Sequence, residues 1–331
     1  MRYVAGFVDG EAQVCLNRIP RQRSYEYCVR ISIYNTDRAV LTEIRDVWGG
    51  ILTSVASRNP RWKQSYALIW TNAAAARFLS EIAPHLRVKS KQAAALFQFL
   101  RHLRGCRRRR DRFGRLLPLS KRQQRIREGF YRRLKQLNVK GPTQAQGRQR
   151  VYAESRHLPI PSAEYLAGFI DAEGSVRLTK DHFAGWNPQY GVRVQVCNTN
   201  RIVLEDLRQT FGGVITYHPR RSVRWKDSYQ LVWTGRRVEP LLRAVEPHLR
   251  LKRRNARIVM QFIEHRKRTH QGRTGRFFGH LPKHVIAYRE DLYQRMKKLN
   301  AKGPPAPEVK GVRPSVPVRP RQRDGTVCRA T

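Results

Sequence analysis

Tyr3-Val-Ala-Gly-Phe-Val-Asp-Gly-Glu11 returns later in the chain as Tyr165-Leu-Ala-Gly-Phe-Ile-Asp-Ala-Glu173. The likeness extends outward from both copies in the same order. Asn35-Thr-Asp37 answers Asn198-Thr-Asn200, and Trp48-Gly-Gly-Ile-Leu-Thr53 answers Phe211-Gly-Gly-Val-Ile-Thr216. Arg61-Trp-Lys-Gln-Ser-Tyr66 answers Arg224-Trp-Lys-Asp-Ser-Tyr229, each running on to a Trp-Thr pair, and Pro84-His-Leu-Arg-Val-Lys89 answers Pro247-His-Leu-Arg-Leu-Lys252. Even Leu137-Asn-Val-Lys-Gly141 has its counterpart in Leu299-Asn-Ala-Lys-Gly303. The period is far too long for a solenoid, so the chain is a duplicated domain. Two like folds in one chain pack about a pseudo-twofold axis, a symmetry that matches a DNA duplex.

The chain of 331 residues is long enough for two domains with a core each. Lys and Arg total 67 against 24 Asp and Glu, a formal charge of +43. Such an excess calls for a polyanion, and nucleic acid is the first candidate because each neutralised phosphate releases a counterion. A membrane partner is not expected, since no stretch approaches the ~20 apolar residues of a spanning helix. The opening MRYVAGFVDGE resembles neither a signal peptide nor a transit sequence. Cys15, Cys28, Cys106, Cys197 and Cys328 form no CxxC and no Cys/His cluster, so neither a disulfide framework nor a zinc site is expected.

Within each half the order reads helix, two strands, helix, two strands, helices. Val14 and Leu16 alternate with Gln13, Cys15 and Asn17, and Val29, Ile31 and Ile33 alternate with Arg30, Ser32 and Tyr34. The second copy keeps this parity: Val176 and Leu178 against Ser175, Arg177 and Thr179, then Val192, Val194 and Val196 against Arg193, Gln195 and Cys197. A helix over Asp37 to Trp48 places Val40, Leu41, Ile44 and Val47 on one face, and Gly49-Gly50 ends it. Strands are expected about Ile51–Ala56 and Ser65–Thr71, and helices over Ala73–Ile82 and Lys91–Leu103. The result is an α+β unit whose antiparallel sheet has one face on the helices and one polar face. That polar face carries Gln13, Asn17, Arg30 and Ser32 in the first copy. In the second it carries Ser175, Arg177, Thr179, Arg193 and Gln195. These side chains suit base edges in a major groove, and the faces are nearly free of carboxylates, so they are the expected DNA-binding surface.

Ala5-Gly6 and Ala167-Gly168 weaken a helix but let two helix backbones approach closely. Each such helix ends in an acid pair, Asp9 with Glu11 and Asp171 with Glu173, where the helix dipole disfavours carboxylates. Set against phosphates, these acids would be repelled unless a divalent cation lay between. Oxygen ligands of this kind suit Mg²⁺, which takes one or two carboxylates plus phosphate oxygens. Asp9 and Asp171 are expected to satisfy free backbone groups at a turn, and Glu11 and Glu173 to carry function. Pro161-Ser-Ala-Glu164 provides a start signal for the second helix. Only Met1-Arg2 precede Tyr3, so the first turn of the first helix is missing or its start lies upstream.

The two nine-residue elements resemble the signature of LAGLIDADG homing endonucleases and related intron maturases, in the double-motif, single-chain form. The resemblance covers about residues 1–141 and 162–303. It implies two tandem αββαββα domains, signature helices packed at their interface, and sheets that saddle the flanking major grooves of double-stranded DNA. It implies a monomer with an internal pseudo-dimer, and a divalent metal, Mg²⁺ or Mn²⁺. The family's metal ligand falls on Glu11 and Glu173, in adjacent active sites, one for each DNA strand. The next residue offers a backbone carbonyl: Gly174, the usual residue, in the second copy, and Ala12, a departure, in the first. Lys89 and Lys252 fall where the family has a basic residue near the scissile phosphate, for charge stabilisation or for holding water. Asn35 and Asn198 match a position that organises active-site water, and equally suit helix capping.

The expected organisation is therefore a first domain at 1–141, a linker at 142–161, a second domain at 162–303 and a basic, Pro-rich disordered tail at 304–331. The expected activity is site-specific double-strand cleavage of DNA in intron homing. The alternative is an RNA-binding maturase that assists splicing of its host intron and cuts nothing, and the Arg107–Arg110 run fits either. Two retained acids favour the nuclease. A transcriptional regulator on this fold would have lost the acids, and no splicing domain of an intein flanks the unit.

Overall fold

The computed structural model describes residues 1–21, 24–56, 63–106, 112–113, 119–138, 160–182, 187–219, 227–270 and 281–301. Most of the linker, the tail and the Arg107–Arg110 run lie outside the described residues.

The first domain runs α1 (Arg2–Glu11), β1 (Ala12–Arg21), β2 (Ser24–Asn35), α2 (Arg38–Trp48), β3 (Ile51–Val55), β4 (Ser65–Thr71) and α3 (Asn72–Ile82). It continues with α4 (Ser90–Gly105) and α5 (Lys121–Leu137). The second repeats the order: α6 (Ala163–Glu173), β5 (Gly174–Asp181), β6 (Gln189–Asn198), α7 (Arg201–Phe211), β7 (Val214–His218), β8 (Ser228–Thr234), α8 (Val238–Val245), α9 (Arg253–His270) and α10 (Lys283–Leu299). Each αββαββα unit thus carries two further helices. The sheets are antiparallel with orders β1-β2-β4-β3 and β5-β6-β8-β7.

The expected strand parity is present. Val14, Leu16, Val29, Ile31 and Ile33 are buried, as are Val176, Leu178, Val192, Val194 and Val196. They pack under α2 and α3, or α7 and α8, where Trp70 lies flat on Phe78 at 4.0 Å. Asp37 caps α2 by accepting from the Ala39 and Val40 amides at 2.8 and 3.2 Å. Gly49 and Gly50 end that helix with φ of 68° and 102°, a backbone region that favours glycine. One expectation for α2 fails: Val47 is 69% exposed, because the covered face runs from Val40, Leu41 and Ile44 on to Trp48 and leaves Val47 to one side.

The two domains meet along α1 and α6. A Cβ at Gly6 would overlap the Tyr165 carbonyl oxygen, and one at Gly168 would overlap that of Tyr3. The helices therefore touch backbone to backbone, with Val4, Ala5, Phe7 and Val8 buried beside Leu166, Ala167, Phe169 and Ile170. Ser162 caps α6 through the Tyr165 amide at 3.3 Å, whereas Met1 leads α1 without a side-chain bond.

Candidate nuclease centre and nucleic-acid face

Because α1 and α6 run side by side, their C-terminal ends bring Glu11 and Glu173 into mutual range. Burial and the neighbouring Glu173 charge push the Glu11 carboxyl up to about 7, against the pull of Lys252 and Lys89. Glu173 is exposed at its surface yet crowded by protein, and this partial desolvation raises its carboxyl too, opposed by Lys89 and Lys252. Two carboxylates facing each other in this way disfavour charge on both.

Asp9 and Asp171 are nearly fully buried and do the structural work expected of them. Asp9 accepts from the amides of Arg87 at 2.7 Å and Lys89 at 2.9 Å. Asp171 accepts from those of Arg250 at 2.7 Å, Leu251 at 3.1 Å and Lys252 at 2.9 Å. Each acid thereby fastens its Pro-His-Leu-Arg-x-Lys segment to the end of its signature helix. The lysine then folds back over that end. The Lys89 ammonium donates to the carbonyls of Val8, at 2.9 Å, and Asp9; Lys252 donates to Ile170 at 2.8 Å and Asp171 at 2.6 Å. A cation on last-turn carbonyls is favoured by the helix dipole. Burial holds both ammonium groups below the usual lysine range, while Asp9 or Asp171 and both glutamates pull back upward. Two of each lysine's three donors are thus committed.

Ala12 and Gly174 share one backbone conformation, at φ −83°, ψ 148° and φ −95°, ψ 172°. Any residue adopts it, so the alanine is no backbone defect. The Asn35 side-chain oxygen accepts from the Asp37 amide and that of Asn198 from the Asn200 amide, both at 2.8 Å. These oxygens serve turns before α2 and α7, and the helix caps themselves are Asp37 and Asn200. The side-chain amide N–H groups of the two asparagines are the donors that remain to meet water.

Among the described residues no three or more His, Cys, Asp or Glu side chains gather to hold a metal. The donor set fits Mg²⁺ nevertheless: Glu11 and Glu173 offer carboxylates whose mutual repulsion a cation relieves, the Ala12 and Gly174 carbonyls adjoin them, and phosphate and water supply the rest.

On the open sheet faces, Gln13 lies opposite Ser32 and Cys15 opposite Arg30; in the second domain Ser175 lies opposite Gln195 and Arg177 opposite Arg193. Asn17 and Thr179 lie farther out along the same strands, opposite Cys28 and Gly191. Ser32 corrects the sequence reading. It is 1% exposed, roofed by Arg30, whose Nε donates to its hydroxyl at 3.0 Å. Its place on the open face is right, but a larger neighbour covers it. Arg177 and Arg193 are both half-buried, and their Nε atoms have no partner among the described residues.

Sequence reasoning missed the open faces of the outer strands, with Thr53 and Ile69 in one sheet and Thr216 and Gln230 in the other. It also missed Tyr3, Tyr165, Arg87 and Arg250, which bond across the domain seam. Their recurrence at equivalent positions of the two halves was the available signal.

The chain is similar to the LAGLIDADG homing endonuclease I-GzeII in complex with its DNA target, at 13% identity and a TM-score of 0.61 over 91% of this chain and 99% of that one. It is similar to the LAGLIDADG meganuclease I-AabMI bound to uncleaved DNA, at 15% identity and 0.61 over 89% and 98%. The I-SmaMI LAGLIDADG homing endonuclease bound to cleaved DNA matches at 14% identity and 0.58 over 91% and 97%, and I-SmaMI on uncleaved DNA in the presence of calcium ions at 14% and 0.57 over 89% and 98%. No protein-family model and no curated protein sequence matches the chain. The protein has the fold of the single-chain, double-motif LAGLIDADG homing endonucleases, with two pseudo-symmetric domains.

Proposed function

We propose that the protein is a site-specific endonuclease of double-stranded DNA, acting in intron homing, with one divalent-metal-dependent hydrolytic centre for each strand. The observation that carries this is the pair Glu11 and Glu173, facing each other at the seam between two like sheets in a chain of charge +43. The DNA-bound state of I-GzeII, I-AabMI and I-SmaMI, and the calcium present with I-SmaMI, support a duplex substrate and a divalent cation.

Glu11 and Glu173 would hold the cation, with the Ala12 and Gly174 carbonyls beside them. The chemistry that Mg²⁺ or Mn²⁺ supplies there is activation of water and stabilisation of the leaving oxygen. Lys89 and Lys252 each direct a remaining N–H toward charge that develops on the phosphate. The amides of Asn35 and Asn198 order water at the margin. Gln13, Asn17 and Arg30 on one sheet, and Ser175, Arg177, Thr179, Arg193 and Gln195 on the other, meet base edges in the flanking grooves.

The test is strand-resolved cleavage of a duplex that joins the exons flanking the host intron, with Mg²⁺ present. Wild type cuts both strands; the Glu11→Gln, Glu173→Gln double variant still binds and no longer cuts. Full-rate cutting by the double variant would remove the glutamates from the chemistry. A wild type that promotes splicing of intron RNA and never cuts DNA would make the protein a maturase.

A further inference from the structure

The hydrogen bond that completes each aspartate hub comes from the other domain. Besides the Arg87 and Lys89 amides, Asp9 accepts from the Tyr165 hydroxyl in α6 at 2.7 Å. Asp171 likewise accepts from the Tyr3 hydroxyl in α1 at 2.9 Å. The arginine of each fastened segment also leaves its own domain. Arg87 pairs with Asp206 of α7 at 2.8 Å, its side chain 6% and that of Asp206 16% exposed, and lies over the Tyr165 ring at 5.5 Å. Arg250 lies over the Tyr3 ring at 4.7 Å and pairs with Glu43 of α2, but there the side chains are 40% and 58% exposed.

These contacts run in one line. Tyr165 fixes Asp9, Asp9 fixes the Lys89 backbone, and Lys89 lays its ammonium on the end of α1. Nothing in the second domain's own segment enters that line. We propose that each lysine centre is positioned by the opposite domain, Tyr165 and Asp206 setting Lys89, and Tyr3 setting Lys252, with the first centre the more firmly set. An exposed ion pair such as Arg250–Glu43 contributes little, whereas removing one partner of a buried pair strands a charge. The tyrosines and Asp206 are positioning residues; none reaches the reacting phosphate. Such wiring makes the two centres competent only when the domains are docked, which suits an enzyme that must cut two strands in register. The consequence for cleavage rests on the endonuclease reading; the positioning itself does not.

Two measurements on the full chain test it. Hydrogen exchange, without DNA, reads the segments 84–90 and 247–253, whose Pro84 and Pro247 carry no amide N–H. Tyr165→Phe keeps the ring and deletes one bond, and is expected to speed exchange at 84–90 on the order of tenfold while sparing 247–253. Tyr3→Phe should do the reverse. Asp206→Asn should act like Tyr165→Phe, and Glu43→Gln should leave 247–253 nearly unchanged. For the two tyrosine variants and Asp206→Asn, loosening of both segments alike, of the variant's own-domain segment, or of neither would overturn the proposal. The second measurement is strand-resolved cleavage at saturating enzyme. Tyr165→Phe should slow the strand that Lys89→Met slows, roughly tenfold, short of the roughly hundredfold cost of a 1 Å misplacement. Slowing of the strand that Lys252→Met slows would also overturn it. If exchange follows the crossed pattern and wild type cuts neither strand, the positioning stands and the endonuclease reading falls.

Discussion

Glu11 and Glu173 oppose folding when no cation is bound, and the sign of that opposition can be measured. The Glu11 carboxyl rises in the folded protein from its ordinary value of 4.5 to about 7, so the folded state holds its proton more tightly than the unfolded chain does. Its contribution to stability is therefore fully present below pH 4.5 and is lost as pH rises to about 7. Metal-free protein should melt lower at pH 7.5 than at pH 5 on account of this group, and Glu11→Gln should shrink that difference and raise the melting temperature at pH 7.5 by roughly a few degrees. A Glu11→Gln protein that melts below wild type at pH 7.5 would contradict the assignment of strain to this pair. The residue after each glutamate gives a second, asymmetric expectation. Ala12→Gly relieves nothing and should leave cleavage within about twofold, since the alanine already holds ordinary extended backbone. A Cβ at Gly174 would stand 2.6 Å from the Ile170 carbonyl oxygen, so Gly174→Ala must shift the end of α6. It should slow the strand that Glu173→Gln slows, which strand-resolved gels would report.

At the scale of elements, the seam between α1 and α6 depends on two missing side chains. Gly6→Ala forces a methyl into the backbone of α6, and overpacking of this kind costs about 1–3 kcal/mol or more. Chemical denaturation should show a loss of that size, and the same substitution at exposed Gly129 in α5, where a Cβ meets nothing within 4 Å, should not destabilise. The open sheet faces carry a different strain. Arg177 and Arg193 stand directly opposite each other, and like charges so placed repel. Sheet one has Cys15 opposite Arg30 at the equivalent position. Arg177→Cys should thus relieve the free protein while flattening base preference in the second domain's half-site alone, as selection from randomised duplexes would reveal. Most of this architecture was legible in the sequence because strands repeat every two residues and the halves repeat each other. The fate of Val47 and Ser32 was not, since periodicity assigns a face without saying what covers it. The bonds Tyr165–Asp9 and Tyr3–Asp171 were equally hidden, because they form only when one half docks on the other.

For the whole molecule, the decisive quantity is where its positive charge goes. Of the 24 acids, several are already bound into the fold: Glu128 joins Tyr27 and Arg18 to α5, and Glu290 joins Tyr190 and Lys180 to α10. Those bonds hold the Glu128 carboxyl below the usual range and push Glu290 down to about 2. Such acids cannot swing away to neutralise other arginines. A large share of the 67 basic residues is therefore free to meet phosphate, and duplex binding should depend steeply on salt. If about 6–10 phosphates are neutralised, affinity should fall roughly 10³–10⁵-fold between about 50 and 200 mM salt. The terms separate by substitution. Removing residues 304–331, which carry many basic side chains, should weaken binding to every sequence alike and lessen the slope. Replacing Arg193 should instead narrow the gap between target and random duplex. Binding titrations at several salt concentrations, with target and scrambled duplexes, measure both. A nearly flat salt response in the full chain would mean that the charge serves something other than a duplex lying across the two sheets.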